Sequence, residues 1–434
     1  MNIDCRWKLA VLSTLVLMNL SMNHISYAET WPGDEPPESP DNEWEMVEVD
    51  GAVCGDGSPY RFFVHYASFN NNLMVISEPG GACWDRDGCS GEKPLGASHP
   101  DGIKPDFMRN IASSINAIQS PFTWRNHPWD RIDAGSWNKV FLPYCTGDIF
   151  AGDKITVYED PAGEKPPLTY HHKGRTNTQK AIEWTNANFP VIGRFLSVGA
   201  SAGGAGSLVN YYFWREGLNI NEDAILINDS GPIFPAFSNE QSFSYNFQAN
   251  ISDAWGVSTW LNKIDPYARS LLLKNQDKGI DFGSINIMLA ELYPLDKFIT
   301  IVFSMDEVFP AYLYGEEYNL DWTKEIDRKA INDMWQSELE NLVLQFEDYE
   351  NLSYFIPYYR KLAFSHCATL LDFHLSDITK DDGHSLLLRD YLRDAFQKYQ
   401  IIESFREREN LDDLNKSNAI HDLANSILSK NFGR

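Results

Sequence analysis

The sequence predicts an α/β fold: a mainly parallel sheet with helices on both faces. Short apolar runs recur along the chain, amphipathic helical patterns lie between several of them, and the runs are apolar nearly throughout rather than alternating. Strands read this way when a parallel sheet is covered on both sides. At 434 residues, with 43% hydrophobic and 13% aromatic content, the chain is able to bury a large core and is not disordered by composition.

In chain order, YRFFVHYA (60–67) and NLMVISEPGG (72–81) read as successive strands, followed by NKVFLPYC (138–145), RFLSVGAS (194–201), DAILINDSG (223–231), KFITIVFS (297–304) and LSYFIPYY (352–359). Helical spacing marks 178–188 and also 330–349, where Ile331, Trp335, Leu339, Leu342 and Phe346 recur on one face. Residues 232–295 carry Phe234, Phe237, Tyr245, Phe247, Trp255 and Trp260 and read as an aromatic-rich cap inserted above the sheet. The tail, 385–434, reads as helical: Leu386, Leu387, Tyr391, Leu392 and Phe396 form one pattern, and Leu411, Leu414, Leu423 and Ile427 another.

The first residues stand apart. Arg6 and Lys8 precede an apolar run over 9–20, and Ser26, Tyr27 and Ala28 supply a small-x-small site. This is the pattern of a secretory signal peptide over 1–28, with an extended leader rich in Pro, Asp and Glu over 29–45 and the main domain over 46–434. The apolar run is shorter than the roughly 20 residues a membrane helix needs, and no later stretch approaches that length, so stable membrane insertion is not expected. Loss of Asp4, Arg6 and Lys8 with the signal moves the net charge from -25 to about -26. A field of that sign repels nucleic acid, anionic membranes and polyanions, and favours neutral or cationic partners.

Export also sets the redox compartment. Cys54, Cys83, Cys89, Cys145 and Cys367 remain after Cys5 is removed, and an odd number leaves at least one thiol unpaired. Cys83 and Cys89 are spaced to close a small loop, and Cys54 with Cys145 is the next most economical pair. The chain has no C-x-x-C and no His/Cys cluster with zinc spacing, and no metal or organic cofactor is expected.

The chemistry is concentrated around VGASAGGAGS (198–207). A strand that turns sharply into a helix at Ser201 needs small neighbours, which Gly199, Ala202 and Gly203 supply. Such an elbow presents a nucleophilic hydroxyl at a helix N-terminus. A serine nucleophile requires donors for the developing oxyanion. One is the amide of Ala202, and SEPGGACW, directly after the second strand, offers Gly80 and Gly81. In the chain order Ser, acid, His, the acid falls on Asp306 in SMDEVF, with Asp229 in INDSG as its rival and Glu307 a weaker third. The base falls on His366 in AFSHCATLL, with His374, His384 and His421 as the others downstream of Ser201.

Several motifs then resemble one family in order: CGDGSP (54–59), EPGGAC (78–83), LPYCTGDIFAGD (142–153), HHKGRTN (171–177), GASAGGAGS (199–207), NDSG (228–231) and MDEVF (305–309). The chain resembles the pectin acetylesterase family, which includes the Notum-type carboxylesterases. The likeness runs from about 54 to 384 and is loosest over 232–295. The resemblance implies an α/β-hydrolase-like serine esterase with Ser201 as nucleophile, Asp306 as acid and His366 as base. It also implies Gly80, Gly81 and Ala202 as oxyanion donors, and disulfides Cys54–Cys145 and Cys83–Cys89. Two positions depart from the family's pattern: Ala82 stands where many relatives carry a tryptophan, with Trp84 just beyond, and Phe309 takes the last place of a D-x-x-Q pattern. Both lie by the expected acyl pocket.

The expected activity is hydrolysis of O-acyl esters, in first place O-acetyl esters on carbohydrate or a small acyl ester. The alternatives are a lipid or protein-linked longer-chain acyl esterase and a catalytically inactive, ligand-binding member of the fold.

Overall fold

The structure is a computed structural model that describes residues 44–93, 96–109, 122, 132–236, 242–273, 281–360, 365–370, 373–380, 382–397 and 401–409. The expected signal peptide, most of the leader, Phe237, His421 and the second tail pattern (Leu411, Leu414, Leu423, Ile427) lie outside the described residues.

The strands form where the sequence is apolar and β-branched or aromatic. They are β1 (Glu45–Val53), β2 (Pro59–His65), β3 (Leu73–Ser77), β4 (Asn138–Leu142), β5 (Lys154–Tyr158), β6 (Leu168–His172), β7 (Phe195–Ala200), β8 (Ala224–Asp229), β9 (Lys297–Ile301) and β10 (Leu352–Ile356). Among the described residues, nine strands make one sheet in the order β1-β2-β4-β3-β7-β8-β9-β10-β13, where β13 is the pair Phe405–Arg406. Strand β2 runs antiparallel to both neighbours, and from β4 onward every pairing is parallel. This order, with its reversed second strand and crossover at β3/β4, is that of an α/β-hydrolase-like sheet. Every residue of β3, β4, β7, β8 and β9 is buried. Burial on both faces explains why these strands are apolar without alternation.

Helices cover the sheet. The first is the single turn α1 (Arg86–Cys89), closed by Asp85, whose carboxylate accepts from the Gly88 amide at 2.9 Å. Then come α2 (Gly174–Asn188) and α3 (Ala202–Gly217), which pack on each other, α2 also against β1 and α3 also against β3, β7 and β8. After the short helix α8 (Phe309–Tyr314), the long helix α9 (Glu325–Glu347) buries Ile331, Trp335, Leu339, Leu342 and Phe346, the stripe its spacing predicts, and contacts β10. Of the tail, the first pattern forms α10 (Leu388–Ala395), with Tyr391 and Leu392 buried.

Among its described residues the expected cap region holds four short helices: α4 (Tyr245–Trp255), α5 (Ser258–Leu261), α6 (Pro266–Leu272) and α7 (Ser284–Leu292). Its largest aromatics are core rather than a surface platform: Trp255 and Trp260 are buried, and their indole N–H groups donate to Cys83 O at 2.8 Å and Ala151 O at 3.1 Å. A buried indole needs such an acceptor. Glu338 of α9 anchors the start of the cap, accepting from Ser242 Oγ at 2.6 Å and from the Ser244 amide at 3.0 Å.

Three elements depart from the sequence reading. The leader boundary at 45 falls inside β1, whose Glu45 already pairs with Val64, and the Trp44 ring packs at a tilt against His65 and edge-on against Phe141. The hairpin β5–β6 leaves Ile155 and Val157 exposed and carries no continuous apolar run. Residues β11 (Ile378–Thr379) and β12 (Ser385–Leu386) pair in a small ribbon within what reads as helical tail.

Cys54 and Cys145 are bonded across 91 residues, and Cys83 and Cys89 across 6. Cys367 is a free, buried thiol. The first bridge ties the β1 end to the loop after β4. Closing a loop of that length restricts the unfolded chain most, so replacing Cys54 and Cys145 together by alanine is expected to cost about 2–4 kcal/mol. Urea unfolding of the double variant beside the native protein measures the difference.

Candidate active site

The sheet's carboxyl edge collects the expected residues. Strand β7 ends at Ala200, and Ser201 sits in the turn with φ 53° and ψ -125° before α3 begins at Ala202. A left-handed φ is costly for a side chain with Cβ and persists where the surroundings hold it. Two backbone bonds do so here: the Ser201 amide donates to Asp229 O at 2.7 Å, and Ala205 N donates to Ser201 O at 3.1 Å. The Ser201 side chain makes no capping bond to the helix, so its hydroxyl is not used up in stabilising α3.

The turn closes only because α3 approaches neighbouring backbone. A Cβ on Gly203 would lie 2.1 Å from Ser77 O and 2.7 Å from Glu78 O, which no side-chain adjustment relieves. Register places Ser77 opposite Gly199, so the loop carrying Gly80 and Gly81 leaves β3 directly beside the elbow. That loop is held on three sides. Glu78 is fully buried, with Oε2 accepting from Tyr144 N at 2.8 Å and Oε1 3.2 Å from His99 Nε2. The Cys83–Cys89 bridge closes the loop's far end, and the Trp255 indole holds Cys83 O.

Asp306 follows β9 and is fully buried. Its Oδ2 lies 2.8 Å from His366 Nδ1, and its Oδ1 accepts from Val308 N at 2.7 Å and Phe309 N at 2.9 Å. A carboxylate only accepts, so in the neutral imidazole Nδ1 carries the proton and the lone pair lies on Nε2. The Phe309 ring stacks on the imidazole at 6.3 Å. His366 is buried too, and its neighbour Cys367 directs its thiol to the Ser201 backbone; burial, with the Asp229 and Asp306 charges, pushes that thiol's pKa well up.

The rival acid has another task. Asp229 Oδ1 accepts from Ala368 N at 2.9 Å and Ser230 Oγ at 3.0 Å, while Oδ2 accepts from Thr369 N and Thr369 Oγ1, both at 2.7 Å. Glu307 points away, accepting from Tyr359 OH at 3.0 Å. Of the other histidines, His384 is exposed beside Asp382, and His374 lies in a short turn, Phe373–Ser376.

An apolar cavity of about 50 Å³ opens beside this cluster. Ala205 and Val209 on successive turns of α3, Phe309 beside the imidazole, and Phe247, Trp255 and Phe282 of the cap line it.

Asp148, in a motif with no role assigned from sequence, organises one wall. Its buried carboxylate accepts from Thr146 Oγ1 at 2.6 Å, Gly174 N at 2.8 Å and Phe150 N at 3.1 Å. These bonds hold Ile149 and Phe150 at φ 47° and 60°, a conformation that β-branched and aromatic residues rarely adopt. No local pattern in the sequence announces two successive left-handed non-glycine residues.

The family model described as Pectinacetylesterase matches residues 42–254, which include the elbow, the glycine loop, both disulfides and Asp229. Over that segment the chain is similar to the pectinacetylesterase family. Among its relatives, palmitoleoyl-protein carboxylesterase notum1' of Xenopus laevis is 27% identical over 169 residues, covering 36% of this chain and 29% of that one. Pectin acetylesterase 4 of Arabidopsis thaliana is 24% identical over 188 residues, covering 42% of this chain and 41% of that one. The matched region thus spans less than half the length of either relative. A solved structure of the Wnt deacylase Notum from Drosophila superposes with a TM-score of 0.49 at 14% identity, over 84% of this chain and 98% of that one. Within the described residues, no helix is long and apolar enough to cross a membrane.

The Asp148 loop has a pH signature. Burial pushes its carboxyl up to about 7, against hydrogen bonds from Thr146, Gly174, Phe150 and Gly152 that favour the charged form. An unfolded aspartate titrates near 3.9, so the folded chain binds this proton more tightly. Its contribution is fully present below about pH 4 and is lost as pH rises through about 7. The melting temperature of the native protein is therefore expected to fall more across that window than that of Asp148→Asn, as calorimetry at stepped pH would show.

Proposed function

We propose that this protein is an exported serine carboxylesterase that hydrolyses short O-acyl esters, in first place O-acetyl esters on carbohydrate or a small acyl alcohol. The observation that carries the proposal is the buried Asp306–His366 pair at 2.8 Å on the same sheet edge as a serine held at φ 53° between strand and helix. Relatives named pectin acetylesterase and palmitoleoyl-protein carboxylesterase support the reaction class.

The steps follow from the roles these groups take. His366 Nε2 accepts the Ser201 proton as Oγ attacks the ester carbonyl, and Asp306 holds the imidazole tautomer and balances the imidazolium. The carbonyl oxygen becomes an oxyanion received by the amides of Ala202, Gly80 and Gly81, the term that lowers the barrier most. His366 then protonates the departing alkoxide, leaving an acyl-serine and an alcohol. Water attacks the acyl-serine by the same route and regenerates the hydroxyl. Every proton is carried by the chain's own residues.

The acyl group enters the apolar cavity between α3 and the cap. One water needs roughly 10–15 Å³ on this scale, so about 50 Å³ receives a few carbon atoms and not an extended lipid tail. The lining supports the longer-chain reading as well, since Phe247, Trp255 and Phe282 belong to a cap whose separation from α3 would enlarge the same space.

Three outcomes are expected. A serine-directed phosphonate labels Ser201, as peptide mapping would locate it, and Asp306→Asn lowers kcat by about 10⁴ because the imidazole is then held in the wrong tautomer. A label on another residue, or undiminished turnover in Asp306→Asn, removes the assignment. On p-nitrophenyl esters of graded length, kcat/KM is expected to be higher for acetate and butyrate than for octanoate and palmitate; the reverse order selects the longer-chain reading.

A further inference from the structure

We propose that Asp229 is the positioning residue of this site: it holds the loop that carries His366 against the strand that carries Ser201. The inference rests on the esterase reading for its kinetic consequence, and on geometry for the rest.

Strand β8 lies between β7 and β9, with Asp229 opposite Ala200 on one side and Ile301 on the other. Its position is therefore one residue before the nucleophile on one flank and close to the acid's strand on the other. Its carbonyl accepts the Ser201 amide at 2.7 Å. Its carboxylate accepts from Ala368 N, Thr369 N and Thr369 Oγ1, and from Ser230 Oγ. Ser230 extends the tie, since its Oγ accepts from Cys367 N at 2.9 Å and its amide donates to Ile301 O at 2.7 Å. Three consecutive residues after His366 thus end on the pair Asp229–Ser230, and the same pair grips β7 and β9 through the backbone.

The loop needs this restraint. Ser365 and Cys367, on either side of His366, have φ 49° and 65°, and Ser230 has φ 56°. Left-handed residues with side chains relax when their ties are removed. Asp229 is fully buried, and its two oxygens receive four donors, which fills a carboxylate's acceptor sites. That saturation leaves no oxygen for the imidazole and separates its role from that of Asp306, whose Oδ2 faces Nδ1. An amide replaces it poorly: either orientation of asparagine sets an NH₂ against a backbone N–H, that of Ala368 or that of Thr369.

The test uses the full-length protein and three variants: Asp229→Asn, Thr369→Val and Thr369→Ser. A displacement of the base by about 1 Å costs ~100-fold in rate, so Asp229→Asn is expected to lower kcat on p-nitrophenyl acetate by about that factor with KM little changed. Thr369→Val, which removes one donor and keeps the Thr369 amide, is expected to lose less, and Thr369→Ser to keep the native rate. Because Asp229 and Asp306 both act through His366, Asp229→Asn in an Asp306→Asn background is expected to add little further loss. A low-field proton resonance from His366 Nδ1–H provides a readout that needs no turnover: it is expected in the native protein and shifted or absent in Asp229→Asn. An unchanged resonance, a native kcat in folded Asp229→Asn, or fully multiplicative losses in the double variant overturns the proposal. If the native protein hydrolyses no ester, the esterase reading fails and the resonance alone decides whether Asp229 positions the loop. If Asp229→Asn does not fold, the contrast between Thr369→Val and Thr369→Ser decides, and equal rates in those two overturn the inference.

Discussion

The architecture of the site depends on one close approach: helix α3 begins against the backbone of two neighbouring strands. The strand-to-helix turn at Ser201 is sharp enough that Gly203 lies on Ser77 O and Glu78 O, while a Cβ on Gly231 would lie 2.4 Å from Ser201 O and 2.3 Å from Ala205 N. Glycine is required at both places because the obstructing atoms are backbone. This contact fixes the serine's left-handed conformation, sets the glycine loop after β3 beside it, and points the helix N-terminus at the same space. The parallel sheet supplies the matching feature, since strands β7, β8 and β9 all end on one edge and release their loops there.

Buried carboxylates then fix what the sheet edge releases. Glu78, Asp148, Asp229 and Asp306 are all fully buried, and each is placed by backbone amides or hydroxyls. Burying a carboxylate is costly unless it is hydrogen-bonded, and the acceptor-only chemistry of the ionised group lets one side chain gather several N–H groups from a loop. The pattern explains how a site assembled from irregular segments is kept in register. Glu78 holds the loop of Gly80 and Gly81, the proposed oxyanion donors, Asp148 the wall with Ile149 and Phe150, Asp229 the loop after His366, and Asp306 the imidazole itself.

The strands legible in the sequence are β2 and those whose burial leaves a nearly continuous apolar run, β3, β4, β7, β8, β9 and β10. Strand β1 is less legible because it lies at the edge and alternates Glu45, Glu48 and Asp50 with buried Val47 and Ala52. The pair Phe405–Arg406 has too few residues for any period to show. At the site, the elbow was legible because its small residues are adjacent in sequence. The choice between Asp229 and Asp306 was not, since both follow a buried strand on the same edge. What separates them is the path of a loop from 365 to 369, which meets Asp229 with its amides and Asp306 with its imidazole. That path is set by contacts across more than 130 residues, which no local pattern encodes.

The same charge that leaves the chain at -25 also bears on the alcohol side of the proposed substrate. The basic residues nearest the disulfide loop are engaged with acids: Lys93 with Asp85 and Glu316, Arg86 with Asp87 and Glu92, Lys165 with Glu92. Paired in this way they present little net positive field to an approaching polyanion, whereas an uncharged acetylated sugar feels neither repulsion nor competition for them. Long-range steering depends on the summed charge and acts before any pocket contact forms. For the esterase proposed above, such a surface suits a neutral carbohydrate or small ester better than an acidic polymer, so its specificity would be set outside the cavity as well as within it.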